Sequence, residues 1–126
     1  MVIKIDMQGS IPIYEQIRNK IILGIASGKL TAGEQLPSVR RLAADLGINF
    51  HTVNKAYTAL CDEGYLVIDR RKGAMVAQPP IRDDPPIAKT RLQLIQAAAE
   101  GIVHGMDEEM FVALCTQCYR DAKKYN

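Results

Sequence analysis

The sequence predicts an α+β fold, mainly α: an N-terminal winged helix-turn-helix over residues 1–78, a proline-rich linker over 79–86 and a two-helix antiparallel C-terminal hairpin over 87–126. Three observations predict it. Residues 36–57 read as a short helix, a glycine turn and a second helix that opens on an exposed polar cluster. The hydrophobic period then changes to that of strands on either side of Asp69-Arg70-Arg71-Lys72-Gly73. Finally, Pro79, Pro80, Pro85 and Pro86 forbid regular structure and mark a boundary before two further amphipathic segments.

The elements follow in order. Residues 12–28 open on a proline at a helix-start position and carry Ile13, Ile17, Ile21 and Ile25 in steps of four, with Tyr14 and Ile22 beside them. Gly28 is a suitable C-cap for this helix, and Thr31-Ala32-Gly33-Glu34-Gln35 reads as a connecting loop. Ser38 caps the second helix, whose apolar positions are Val39, Leu42, Ala43 and Leu46. Gly47 ends it, and Asn49 caps a third helix that buries Val53, Ala56, Tyr57 and Leu60 and runs to Gly64. Tyr65-Leu66-Val67-Ile68 and Ala74-Met75-Val76-Ala77 are the two strands of a hairpin with a basic tip.

Beyond the linker, a helix of residues 87–104 presents Ala88, Arg91, Leu92, Ile95, Ala98, Ala99 and Ile102 on one mostly apolar stripe. Asp107 caps a last helix, with Glu108 and Glu109 near its positive end and Arg120, Lys123 and Lys124 near its negative end, as the macrodipole favours. Its apolar side holds Phe111, Leu114, Cys115, Cys118 and Ala122. Two helices make too small a core to stand alone. With the proline linker expected to hold them away from the first domain, their stripes call for the same hairpin of a second chain. Leu92, Ile95, Ala99, Ile102, Phe111, Leu114 and Cys118 are therefore the expected dimerisation residues.

Composition bounds the chemistry. The chain has 126 residues, is 48% apolar and carries a net charge of +2. Residues 1–78 hold ten Lys/Arg against seven Asp/Glu, whereas residues 79–126 hold six against seven, so the front half is the better phosphate-facing surface. No apolar run approaches the ~20 residues of a membrane span, and the start is not a signal peptide, so the expected compartment is the cytoplasm. Cys115 and Cys118 form a C-x-x-C pair, but no second pair or neighbouring His completes a tetrahedral metal site. On an apolar helix side they read as small hydrophobes, so no metal and no cofactor is expected. His51 and His104 fall in separate domains without a partnered nucleophile, and no enzyme is expected.

In this order of elements the chain resembles the GntR family of transcription regulators. The resemblance rests on Pro12-Ile13-Tyr14-Glu15-Gln16-Ile17, Gly28-Lys29-Leu30, Gly33-Glu34-Gln35-Leu36-Pro37-Ser38-Val39-Arg40, Leu42-Ala43, Thr52-Val53-Asn54-Lys55-Ala56-Tyr57 and Glu63-Gly64. The short tail resembles that of the YtrA-like subfamily, where it serves dimerisation. The resemblance implies that Arg40 reaches DNA from the start of the second helix. It places Asn49, Phe50, His51, Thr52 and Asn54 at the groove-facing start of the recognition helix, and Gly73 in a wing at the minor groove. Two departures stand out: Phe50 occupies a position where relatives carry proline or a small polar residue, and Arg71 replaces a wing glycine.

The residues themselves leave specific alternatives. Arg40 can grip guanine or a phosphate with its guanidinium, or be a solvated surface arginine; Arg41 stands beside it. His51 and Thr52 open the third helix, where His51 donates to a base or phosphate or is merely exposed. Phe50 either packs on a thymine methyl or staples the helix to its neighbour. Lys55 faces outward with Asn54 and is assigned to phosphate, which positions without specifying sequence. Arg70, Arg71 and Lys72 form the densest charge, either a solvated turn or a minor-groove contact. With Ser38, these are the expected DNA-binding residues. The expected partner is a double-stranded, pseudo-palindromic operator bound by a homodimeric repressor, with room for a small-molecule effector of unknown identity. The alternative is a winged-helix protein-interaction or accessory subunit without operator binding.

Overall fold

The computed structural model describes residues 3–78 and 87–125. Seven elements follow one another: α1 (Ile13–Ala26), α2 (Val39–Leu46), α3 (Phe50–Asp62), β1 (Leu66–Asp69), β2 (Gly73–Val76), α4 (Ile87–Val103) and α5 (Glu108–Lys123). This is the mainly helical α+β architecture that the patterning predicts. The expected linker, 79–86, lies outside the described residues.

Each helix starts and stops for a local reason. Pro12 precedes α1, which turns Ile17 and Ile21 fully inward. The Ser38 hydroxyl oxygen accepts the Arg41 N–H at 3.1 Å and starts α2. At its end Gly47 takes a left-handed φ of 67°, and Ile48 N–H reaches back to Ala43 O at 3.1 Å. That turn needs a residue without a Cβ, and it leaves only Gly47-Ile48-Asn49 between two helices. Asn49 Oδ1 then accepts the His51 N–H at 2.7 Å and starts α3.

The core lies where α1, α2 and α3 meet. Ile17, Ile21, Leu42, Val53, Ala56, Tyr57 and Leu60 are buried there, and Leu66, Ala74 and Val76 close it from the sheet. Each large apolar side chain removed from water contributes about 1.5–3 kcal/mol, so α3, with four inward residues, is the element the core holds most firmly. β1 and β2 pair antiparallel, Leu66 opposite Val76 and Asp69 opposite Gly73.

Two expectations are corrected. The segment read as a loop at 31–35 runs beside β2: Gly33 N–H donates to Val76 O at 2.8 Å, Val76 N–H to Glu34 O at 2.9 Å and Leu36 N–H to Ala74 O at 2.8 Å. Gln35 pairs with Met75 as an isolated bridge, so backbone pairing along its inner edge anchors the hairpin in addition to its core side chains. The helical hairpin is also not held clear of the winged helix. The Lys20 ammonium on α1 lies over the Tyr125 ring at 4.7 Å and donates to its hydroxyl, while Lys89 on α4 reaches Glu63 at 3.6 Å.

The two tail helices bury no residue within the chain. Asp107 Oδ1 accepts the Met110 N–H at 2.8 Å and caps α5, as its sequence predicts. Cys115 is half-buried and Cys118 exposed, so the reading of both as core hydrophobes does not hold within one chain.

Candidate nucleic-acid interface

The start of α3 and the start of α2 form one polar surface. On α3, His51, Asn54 and Lys55 are exposed on the side opposite Val53, Ala56, Tyr57 and Leu60. Thr58 continues that exposed stripe one turn further on, seven residues after His51. Sequence reading missed it, although the same helical spacing identifies it. Thr52 is half-buried at the edge of the stripe.

Tertiary contacts hold this surface in place. The Tyr57 hydroxyl donates to Pro37 O at 2.7 Å, fastening α3 to the turn that launches α2. Burial pushes the Tyr57 phenol up to about 12, so it stays neutral and keeps donating. Lys55 lies over the Tyr14 ring of α1, its ammonium 4.1 Å from the centroid. At the other end of α3, Arg18 of α1 holds Glu63 with two charged hydrogen bonds.

Arg40 and Arg41 project from the first turn of α2 and are both exposed. They are not equivalent. Arg41 is shared with Asp45 one turn on, at 3.4 Å, whereas Arg40 lies over the ring of Phe50 at 4.9 Å. Phe50 also meets His51 edge-on, with centroids 5.5 Å apart. The sequence left Phe50 between a thymine contact and a helix staple; its ring packs against Arg40 and His51. Ser38 and Asn49 serve as helix caps, and each keeps donor hydrogens beyond the oxygen used for capping.

The wing closes on its own acidic residue. Asp69 Oδ1 accepts the N–H groups of Arg71 at 2.8 Å and Lys72 at 2.9 Å. Those bonds, first that of Lys72 and then that of Arg71, hold its carboxyl below the usual range, so Asp69 is ionised at neutral pH. Gly73 has a φ of 76°, while no non-glycine among the described residues has a positive φ. Arg71, where the resemblance leads one to expect a glycine, therefore sits without backbone strain, because in this turn only Gly73 takes left-handed geometry. Arg70, Arg71 and Lys72 all remain exposed.

A second surface lies on the tail. Leu92, Ile95, Ile102 and Leu114 are exposed, Ala99 and Cys118 with them, and Phe111 is half-buried. Beside them runs a groove of about 590 Å³ lined by Ile87, Thr90, Arg91, Leu94, Ile95, Ala98 and Phe111. Arg91, Ile95, Ala98 and Phe111 were already on the apolar sides read from the sequence; Ile87 and Leu94 widen that stripe by one row, next to Arg91 and Ala98. Among the described residues no group of His, Cys, Asp and Glu is arranged to hold a metal. None of their helices is long and apolar enough to cross a membrane.

The sequence profile described as bacterial regulatory proteins, gntR family, matches residues 13–76. The HTH-type transcriptional repressor YtrA of Bacillus subtilis is 40% identical over 76 residues, which are 60% of this chain and 58% of that protein. The chain spans 55%, 15% and 58% of three curated relatives it matches. A transcriptional antiterminator from Listeria monocytogenes superposes with a TM-score of 0.90 at 29% identity, covering 98% of this chain and 93% of that one. AraR(DBD) in complex with operator ORX1 superposes with a TM-score of 0.54 at 27% identity, over 61% of this chain and 99% of that one.

Proposed function

The chain belongs to the GntR family of bacterial regulatory proteins, and from that premise we propose that it is a homodimeric repressor that binds a pseudo-palindromic operator. Its α3 lies in the major groove and its basic wing at the minor groove. Its family is one of DNA-binding regulators, not of enzymes.

One observation carries this reading. The exposed stripe of α3 and the Arg40 fork, which donates to no acceptor among the described residues, share one surface, while Val53, Ala56, Tyr57 and Leu60 of α3 are turned into the core. A surface of donors and cations fits base edges and phosphates, not an apolar partner. The homodimer is supported by the apolar tail, where Leu92, Ile95, Ile102 and Leu114 stay exposed within the chain. The expected compartment is the cytoplasm, where the operator is.

The test is selection of duplexes from genomic fragments by the purified chain, followed by sequencing. Two inverted half-sites about one helical turn apart are expected. A chain that enriches no sequence, but retains a protein partner in the absence of DNA, would instead be an accessory subunit.

A further inference from the structure

Phe50 has no obvious reason to be aromatic. It stands first in α3, half-buried, at the edge of the polar surface and outside the core cluster. What its ring touches gives the reason. The Arg40 guanidinium lies over it at 4.9 Å, and His51 meets it edge-on with an interplanar angle of 81°. Phe50 and Arg40 belong to different helices, so the contact spans the glycine turn.

The two arginines of α2 show what this contact does. Arg41 faces Asp45 at 3.4 Å, an exposed ion pair along its own helix that draws its cation toward a carboxylate. Among the described residues Arg40 donates to no acceptor, and the aromatic face is what holds it. A cation over a ring is attracted through the quadrupole and commits no N–H to a lone pair. Its donor fork stays available for a guanine edge or a phosphate. Fixing the side chain beforehand also lowers the ordering entropy lost on binding.

We propose that Phe50 is a positioning residue for Arg40: its ring holds the guanidinium on the DNA-facing side of the helix pair with its donors free. The inference rests on the DNA-binding reading above and deepens it. Phe50 itself need not touch a base. A leucine could replace it as a helix staple, but only an aromatic ring supplies the negative face.

The experiment compares Phe50→Leu, Phe50→Tyr and Arg40→Ala with the native chain, using a duplex that the native chain selects from a random pool. In the free protein, the Arg40 δ-methylene proton signals are expected upfield through the ring current, to return in Phe50→Leu and to stay shifted in Phe50→Tyr. On the duplex, Phe50→Leu is expected to lose about two- to fivefold in affinity, with broadened base preference, and Phe50→Tyr to bind like the native chain. In the Arg40→Ala background, Phe50→Leu should cost nothing further. Equal affinity of Phe50→Leu and the native chain overturns the inference alone, as does an equal loss with and without Arg40. A native chain that selects no duplex overturns the DNA-binding reading, and the inference with it.

Discussion

The guanidinium of Arg18 holds both carboxylate oxygens of Glu63, Nε to Oε2 at 2.7 Å and a terminal nitrogen to Oε1 at 2.7 Å. The pair ties the middle of α1 to the C-cap of α3, and Lys89 of α4 adds a weaker contact at 3.6 Å. Glu63 is therefore where α3, α1 and the tail meet.

Both side chains of this pair are largely shielded, 20% and 30% exposed, so the two charged hydrogen bonds are worth more than a surface ion pair. Arg18→Ala is expected to destabilise the chain by about 1.5–3 kcal/mol in denaturant unfolding. The hydrogen bonds of Arg18 hold the Glu63 carboxyl below its ordinary 4.5. A lowered folded value means the stabilisation is complete above that pH and disappears as pH falls through the folded value. The gap between the native chain and Arg18→Ala should thus be constant at neutral pH and close in acid. A gap that persists there unchanged would rule out the ionised pair as its cause.

Tyr57 sets the alkaline side. Its hydroxyl donates to Pro37 O at 2.7 Å, and burial raises the phenol from 10.0 to about 12. A group whose folded value is raised contributes stability below its unfolded value and loses it as pH climbs. Unfolding free energy should therefore decline from about pH 10 upward, because the unfolded chain ionises there while the folded one does not. Tyr57→Phe should remove this component of the decline and cost about 0.5–1.5 kcal/mol at neutral pH, through the lost hydrogen bond. Identical alkaline profiles for the two proteins would contradict the burial of the phenol.

The tail prediction uses exposure as a filter. Leu92 and Ile102 are 68% and 70% exposed within the chain, so replacing both by Glu should change the stability of a single chain by no more than about 0.5 kcal/mol at each site. In a dimer the same positions would bury unpaired charge. Sedimentation equilibrium should show a dimer for the native chain and a monomer for the double variant, with weaker operator binding. A native chain that sediments as a monomer would refute the assembly.

What the sequence made legible was local. Ser38, Asn49 and Asp107 cap helices because each acts on N–H groups two or three residues away, and Gly47 breaks the chain through its own φ. Period and punctuation place such elements within a residue or two. Contacts between distant backbones left no such mark. Residues 33–36 pair with β2 through N–H and C=O groups that every residue has, so no side-chain pattern announced the pairing. The Arg40–Phe50 contact joins residues ten apart across a turn, and Arg18–Glu63 joins residues 45 apart. Those pairings depend on how the helices cross, which spacing within one helix does not encode. The exposed residues of the proposed DNA-facing surface could be assembled from helical spacing, whereas the different contacts that Arg40 and Arg41 make could not.

An ammonium on the wing and a guanidinium fork on α2 predict two different mutant phenotypes. Lys72 sits on the Asp69-closed wing turn, an exposed ammonium on a flexible stem suited to a phosphate. Lys72→Ala should weaken all duplexes by a similar factor and lower the slope of log K against log salt by about one unit, as one phosphate contact is lost. Arg40 offers a bidentate fork, and Arg40→Ala should lower affinity for the selected operator more than for random DNA, relaxing specificity by about 1–3 kcal/mol at one base pair. Binding titrations of both variants across a salt series, on operator and on scrambled duplex, separate the two roles. Equal losses on both duplexes for Arg40→Ala would assign Arg40 to phosphate, and sequence reading would then fall to Asn49, His51 and Asn54 at the head of α3.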